Sequence, residues 1–464
     1  MDSQHAPEAS AQETRDEAHD ASHGPVREPA DTASKRKSSL MMDFSLLRDN
    51  PAFRTIVIAR TLSVFSLGML TVAAPVQIQD MTGAPMQVGL AMALGGGGAF
   101  AGLMAGGVLA DRLDRRKLIL FARSVCGLGF AALAINGFVS SPSLLAMYVL
   151  ALWDGFFSAL GVTALLAATP FLVGRENLAA AGAFNMLTVR LGGILSPAIG
   201  GIVIASYGVG WAYIAATVGT LITVTQLIRL PRMPPAKCAT QHPLHALGEG
   251  IGYLFVNRLV GAVIAVGALV SLGAGVRILL PALAEDVYRV GPSAVGAMYS
   301  AAPLGATLAA LTSGWLGGFA RSGALLLASA AAAFIVLGAL GLTSNPFIAF
   351  GALAGFGYLS SIASLLQLTL VQRHTPDQLL GRVNGLWAAQ AVTGDAFGAL
   401  ALGLLSRALP PSSAVLAFSF FALLSSGTMA TAFRFLRFHS VERSAAAPAP
   451  VADKSPRRSV SEKA

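Results

Sequence analysis

Apolar residues gather in twelve long runs along this chain. They lie at 53–79, 86–110, 117–138, 142–168, 178–206, 210–230, 259–283, 292–316, 322–342, 346–371, 383–408 and 412–436. Each run is long enough to cross about 30 Å of hydrocarbon as a helix. The runs are continuously apolar and do not alternate in ten-residue stretches, so they predict helices and not the strands of a membrane β-barrel. The expected fold is an all-α membrane protein with twelve transmembrane helices. Residues 1–45 are rich in Ala, Glu, Asp and Ser and cannot bury enough apolar surface to fold, so they read as a disordered tail, as does 439–464. The longest break, 231–258, carries Pro231, Pro234 and Pro235 and divides the chain into six-helix halves at 46–230 and 259–438. Its later part, Pro243 to Arg258, has the pattern of an interfacial amphipathic helix.

Charge then orients the spans. The breaks after spans 2, 4, 6, 8 and 10 hold Arg112, Arg115, Arg116, Lys117, Arg175, Arg229, Arg232, Lys237, Arg321, Arg373 and Arg382, whereas the alternate breaks hold only Arg289 and Arg407. Positive loops stay in the cytoplasm, so both termini are expected there, in a multi-pass protein of the inner membrane. Only 12% of residues are charged and 54% are hydrophobic, with mean hydropathy +0.65. A soluble chain carries about 25% charged residues, which excludes a cytosolic enzyme. The net charge of +9 resides in short inter-helix loops, so it marks topology and not nucleic-acid binding.

Cofactor chemistry is poorly supplied. Cys126 and Cys238 suggest neither a disulfide framework nor a metal cluster, and the seven histidines all fall outside the spans. No lysine follows a glycine, so a phosphate-cradling G-x-x-x-x-G-K-[ST] loop is absent. No metal, no cofactor and no enzymatic activity are expected.

The halves echo each other. Ser66, Leu67 and Gly68 recur as Ser271, Leu272 and Gly273; Pro75 recurs as Pro281, Val88 and Gly89 as Val295 and Gly296, and Gly107 as Gly314, at offsets of 205–207. Internal repeats of this kind build a pathway at the repeat interface in many secondary transporters.

Between spans 2 and 3 stand Gly107, Asp111, Arg112, Asp114, Arg115, Arg116 and Lys117. The string resembles the G-x-x-x-D-R-x-G-R-[RK]-[RK] loop of the major facilitator superfamily, with Asp114 in place of the second glycine. The resemblance implies two six-helix bundles around a central cavity and alternating access, with this turn as a gate. Physically, it is a carboxylate held beside a basic cluster. Asp111 is expected to cap a helix N-terminus and the arginines to pair with acids; a plain topology signal is the bland alternative. Span 5 carries Arg190, Gly192, Ser196, Pro197, Gly200 and Gly201. It resembles the G-x-x-x-G-P-x-x-G-G signature of the superfamily's proton-coupled exporters, against an alternative of generic small-residue packing.

Ionisable residues inside a membrane face a cavity or a partner. Asp154 and Asp395 are the candidates for proton coupling, Arg60 for an interfacial anchor, and Arg190 and Arg277 for attracting an anion or pairing with the aspartates. Spans 10 and 11 add Tyr358, Gln367, Trp387 and Gln390, candidates with Arg277 for binding substrate, although core packing is an alternative for the aromatics. The strings around Trp153 to Phe157, Thr163 to Pro170 and Gly381 to Asp395 narrow the resemblance to the bacterial exporters of catecholate siderophores within the superfamily. That resemblance implies an iron-free catecholate siderophore as the small-molecule substrate and a proton gradient as the drive, in a monomer within the lipid bilayer. A broader proton-coupled exporter of drugs or metabolites is the alternative.

Overall fold

In a computed structural model the protein is described at Arg48 and over residues 50–174, 177–233, 243–318 and 321–438; the two predicted tails lie outside these residues. The described residues are helical throughout, with no β-strand. The first half holds α1 (Pro51–Thr82), α2 (Pro85–Arg112), α3 (Arg115–Phe138), α4 (Leu144–Val173), α5 (Leu178–Tyr207) and α6 (Val209–Leu227). The short helix α7 (Pro243–Val256) occupies the predicted amphipathic stretch of the linker. The second half holds α8 (Arg258–Leu272), α9 (Pro292–Thr312), α10 (Ser322–Leu342), α11 (Pro346–His374), α12 (Asp377–Leu405) and α13 (Pro411–Ala432), followed by α14 (Arg434–Phe438).

Among the described residues eleven helical spans are long and apolar enough to cross a membrane by length and composition, one of them running from α8 on to Tyr288. The twelfth, α6, has 19 residues, or about 28 Å at the usual helical rise, and its threonines lower its hydropathy. Local chemistry sets the helix ends. Asn50, Asp114, Ser143, Asn257 and Asn345 each accept a backbone N–H in the following first turn, and proline opens α1, α2, α9, α11 and α13. The seventh span is irregular. Beyond α8 it tightens into a 3₁₀ stretch over Gly273–Leu279, passes Pro281, and ends in a π-turn at Leu283–Tyr288.

We call the end bearing Pro51, the α2–α3 turn and α14 the tail end, and the opposite one the far end. Buried apolar residues at the far end form one cluster that joins both halves, from Val72, Val88 and Ile204 to Leu280, Val295 and Leu402. At the tail end the core is split. Ile56, Ile119 and Leu165 belong to a cluster of the first half, and Val263, Leu326 and Leu370 to a separate one of the second half. The halves are thus fused at the far end and parted at the tail end.

The internal echo marks the fused seams. A Cβ on Gly89 would lie 2.8 Å from the carbonyl oxygen of Ala399 on α12, and one on Gly201 of α5 would lie 2.7 Å from the Cα of Gly296 on α9. Val88–Gly89 and its repeat Val295–Gly296 therefore place glycine where a helix of one half touches a helix of the other. Backbones this close admit no larger side chain.

Candidate functional site

A cavity lies between the halves, in two adjoining lobes of about 640 and 610 Å³. Leu67, Thr71, Arg277, Tyr299 and Ala391 line both. The first lobe is walled by α1, α5, α8, α9, α11 and α12, the second chiefly by α1, α2, α4 and α12.

In the first lobe polar side chains join across helices. The Trp387 indole donates to Gln367 Oε1 at 3.1 Å, and Gln367 Nε2 donates to Gln390 Oε1 at 3.1 Å. Gln367 is only 2% exposed, and its amide lies where a Cβ on Gly267 would sit, 2.1 Å from Oε1. Gly267 thus makes room for the buried amide, and the amide in turn fixes the indole above it. Arg190 lines this lobe and has no partner among the described residues. Gly192, Gly193, Ser196 and Pro197 share its wall.

Where the lobes meet, the Arg277 guanidinium pairs with Asp395, joining the 3₁₀ stretch to α12. Arg277 Nε also donates to Ala274 O at 3.2 Å, and the Tyr299 hydroxyl donates to Arg277 O at 2.7 Å. The second Asp395 oxygen is buried without a hydrogen bond. Two charges in low dielectric stabilise each other only when both are held; here the tyrosine holds the arginine backbone.

Asp154 lines the second lobe, with one oxygen buried and unpartnered. Arg123 of α3 is the cation whose field reaches it. Arg123 is 4% exposed and forms no ion pair among the described residues. The sequence reading missed it because a single arginine early in an apolar run resembles an edge anchor. Tyr299 was missed as well, since one tyrosine in an apolar run carries no pattern.

Several predicted residues lie elsewhere. Tyr358 is absent from the cavity wall and its hydroxyl meets Thr312 at 3.0 Å; at helical spacing Gly357, Ser361 and Ser364 take the cavity face instead. In the α2–α3 turn the cap is Asp114 and not Asp111. Asp114 accepts from Arg116 N at 2.9 Å and Met233 N at 3.3 Å, while Asp111 is exposed with no hydrogen bond among the described residues. The arginines reach carbonyls and not acids: Arg115 donates to Ala110 O at 3.4 Å and Arg116 to Ile228 O. Gly107, Arg112 and Lys117 lie on the tail-end surface away from the cavity. On α5, Ser196 is fully buried where a Cβ on Gly68 would fall, Gly200 touches Met69, and Gly201 touches Gly296. The motif is thus a close-packing face against α1 and α9. No group of His, Cys, Asp and Glu among the described residues is arranged to hold a metal.

A model of the family described as Transmembrane secretion effector matches residues 42–459. The Enterobactin exporter EntS of Escherichia coli is 50% identical over 393 residues, covering 85% of this chain and 94% of that protein. The Enterobactin exporter EntS of Shigella boydii serotype 18 matches with the same identity and coverage. Among solved structures, the nucleoside transporter NupG superposes with a TM-score of 0.70 at 15% identity, over 82% of this chain and 99% of that one. A bacterial homolog of the human lysosomal transporter Spinster, in an inward-facing and unoccupied conformation, gives 0.61 at 16% identity, over 84% and 96%. At such identities the structural likeness establishes the fold alone.

Proposed function

Because the chain belongs to the Transmembrane secretion effector family of major facilitator transporters, we propose that it exports a catecholate siderophore of the enterobactin kind from the cytoplasm by proton-driven alternating access. The observation that carries the transport reading is the divided core: one apolar cluster seals the far end while two separate clusters leave the cavity open at the tail end. The Lys/Arg asymmetry supports a cytoplasmic position for the tail end and for both termini. This is then the loading conformation of an exporter in the inner membrane, acting as a monomer. The kind of cargo rests on the likeness to EntS.

The wall supplies counterparts to such a cargo. Trp387 and Tyr299 offer ring faces and Gln390 an amide, while the buried Gln367 holds the Trp387 indole and Gln390 in place. Arg277 is already neutralised by Asp395, so Arg190 is the cation free to meet an ionised catechol oxygen. Asp154 is the carboxyl that exchanges the proton: uncharged, it tolerates its unpartnered oxygen, and charged, it draws on Arg123. Loading the cargo and releasing the proton on the same side, then closing the tail end, would couple the two fluxes.

A deletion strain under iron limitation tests this. Mass spectrometry of the medium is expected to show less intact iron-free siderophore and more breakdown products. Normal secretion with no second exporter expressed, together with altered drug sensitivity, would assign the chain to broader export instead.

A further inference from the structure

A groove of about 770 Å³ runs along the outer surface of the second half, between α10 and α13. Its floor and sides are Ala324, Ala328, Ala331, Gly427 and Ala430, small residues that leave space between the helices. Leu327, Leu423 and Leu424 add an apolar wall, and Phe420 stands at its inner limit. Two further features point to an occupant. Arg321, exposed at the start of α10, sits at the tail-end mouth. Ser426 lines the groove at 3% exposure, and its hydroxyl has no hydrogen-bond partner.

Length decides what fits. From Arg321 to Ala331 the helix rises about 15 Å, which is half of the roughly 30 Å hydrocarbon core and so the depth of one leaflet. A cation at the boundary, an apolar slot one leaflet deep and an unused hydroxyl within it match a single amphiphile with an anionic head. We propose that this groove binds an anionic phospholipid of the tail-end leaflet, its phosphate on Arg321 and one acyl chain between α10 and α13, close enough to the surface for its ester oxygens to meet Ser426. The site is separate from the transport cavity, and its occupancy would brace the outer face of the second half while the halves rock.

Native mass spectrometry of the full-length protein, titrated with phosphatidylglycerol and with phosphatidylethanolamine, tests the assignment. The parent is expected to retain phosphatidylglycerol preferentially. Arg321→Ala is expected to weaken that binding about fivefold, the effect of one arginine near an anionic surface, while Arg321→Lys retains it. Gly427→Leu, which fills the slot without altering charge, is expected to weaken both lipids. Equal phosphatidylglycerol binding by the parent, Arg321→Ala and Gly427→Leu would overturn the proposal. So would a dimer of the parent that Gly427→Leu dissolves, since the groove would then hold a second copy of the chain.

Discussion

The two sides of the cavity share a repeat but not a chemistry. On the second half, Arg277 is paired with Asp395, and Gln367 ties Trp387 to Gln390. On the first half, Asp154 forms no ion pair among the described residues, and neither does the buried Arg123 behind the cavity wall. Each half keeps one carboxylate oxygen buried without a hydrogen bond, on Asp154 and on Asp395, but only Asp395 is held by a cation. Satisfied polar networks in low dielectric are rigid and specific, while unpaired buried charges are costly and change state readily. In the proposed mechanism the second half supplies the preorganised wall for a ligand and the first half the group that changes charge, two roles on the inner faces of halves that share a sequence echo.

The sharpest way to break this comparison is Asp154→Asn, which removes an ionisable group at almost constant volume. Driven export is expected to be lost while cargo binding and protein level stay near the parent's, as read by transport in vesicles and by ligand titration. Parental gradient dependence would remove the charge-changing role from the first half. The next largest effect belongs to the ion pair. Arg277→Ala strands Asp395 and is expected to cost about 3 kcal/mol, the lower end for a buried pair because both side chains are partly exposed. Combining it with Asp395→Ala should return part of that loss in thermal unfolding, and failure to do so would mean the pair is not structural.

Gln367→Ala leaves two polar partners unsatisfied, and about 1–3 kcal/mol is at stake. It is expected to raise the apparent KM for cargo roughly tenfold with maximal rate little changed, whereas Arg60→Ala should leave KM alone. The smallest effect is Asp114→Ala in the α2–α3 turn. Loss of this cap is expected to cost about 1 kcal/mol of stability, and Asp111→Ala less, by the same unfolding measurement.

Much of the fold was legible because hydrophobic periodicity and bilayer thickness leave few choices. The helix limits depart from the apolar runs where polar residues extend a helix past the membrane. Span 11 was expected from 383 but begins at Asp377, since Asp377, Gln378 and Arg382 continue the helix into polar surroundings. Pairing was legible only as an alternative: Arg277 was expected either to attract an anion or to pair with an aspartate. That it pairs, and with Asp395, follows from the crossing of α12 over the 3₁₀ stretch, which joins residues 118 positions apart. The glycines at 89, 201 and 296 were visible as a repeat, but that they form the seams between the halves required the fold. Asp114 looked like a departure from a glycine pattern, yet it supplies the cap that the turn needs.

The central claim is that this chain moves a catecholate siderophore using a ligand-holding wall in one half and a titrating carboxyl in the other. The most direct test is uptake of iron-free enterobactin into energised inverted vesicles carrying the parent, Gln367→Ala or Asp154→Asn. The account predicts uptake by the parent that stops when the proton gradient is collapsed, a raised KM for Gln367→Ala, and uptake without gradient dependence or none at all for Asp154→Asn. No uptake by the parent, or both variants behaving as the parent does, would contradict it.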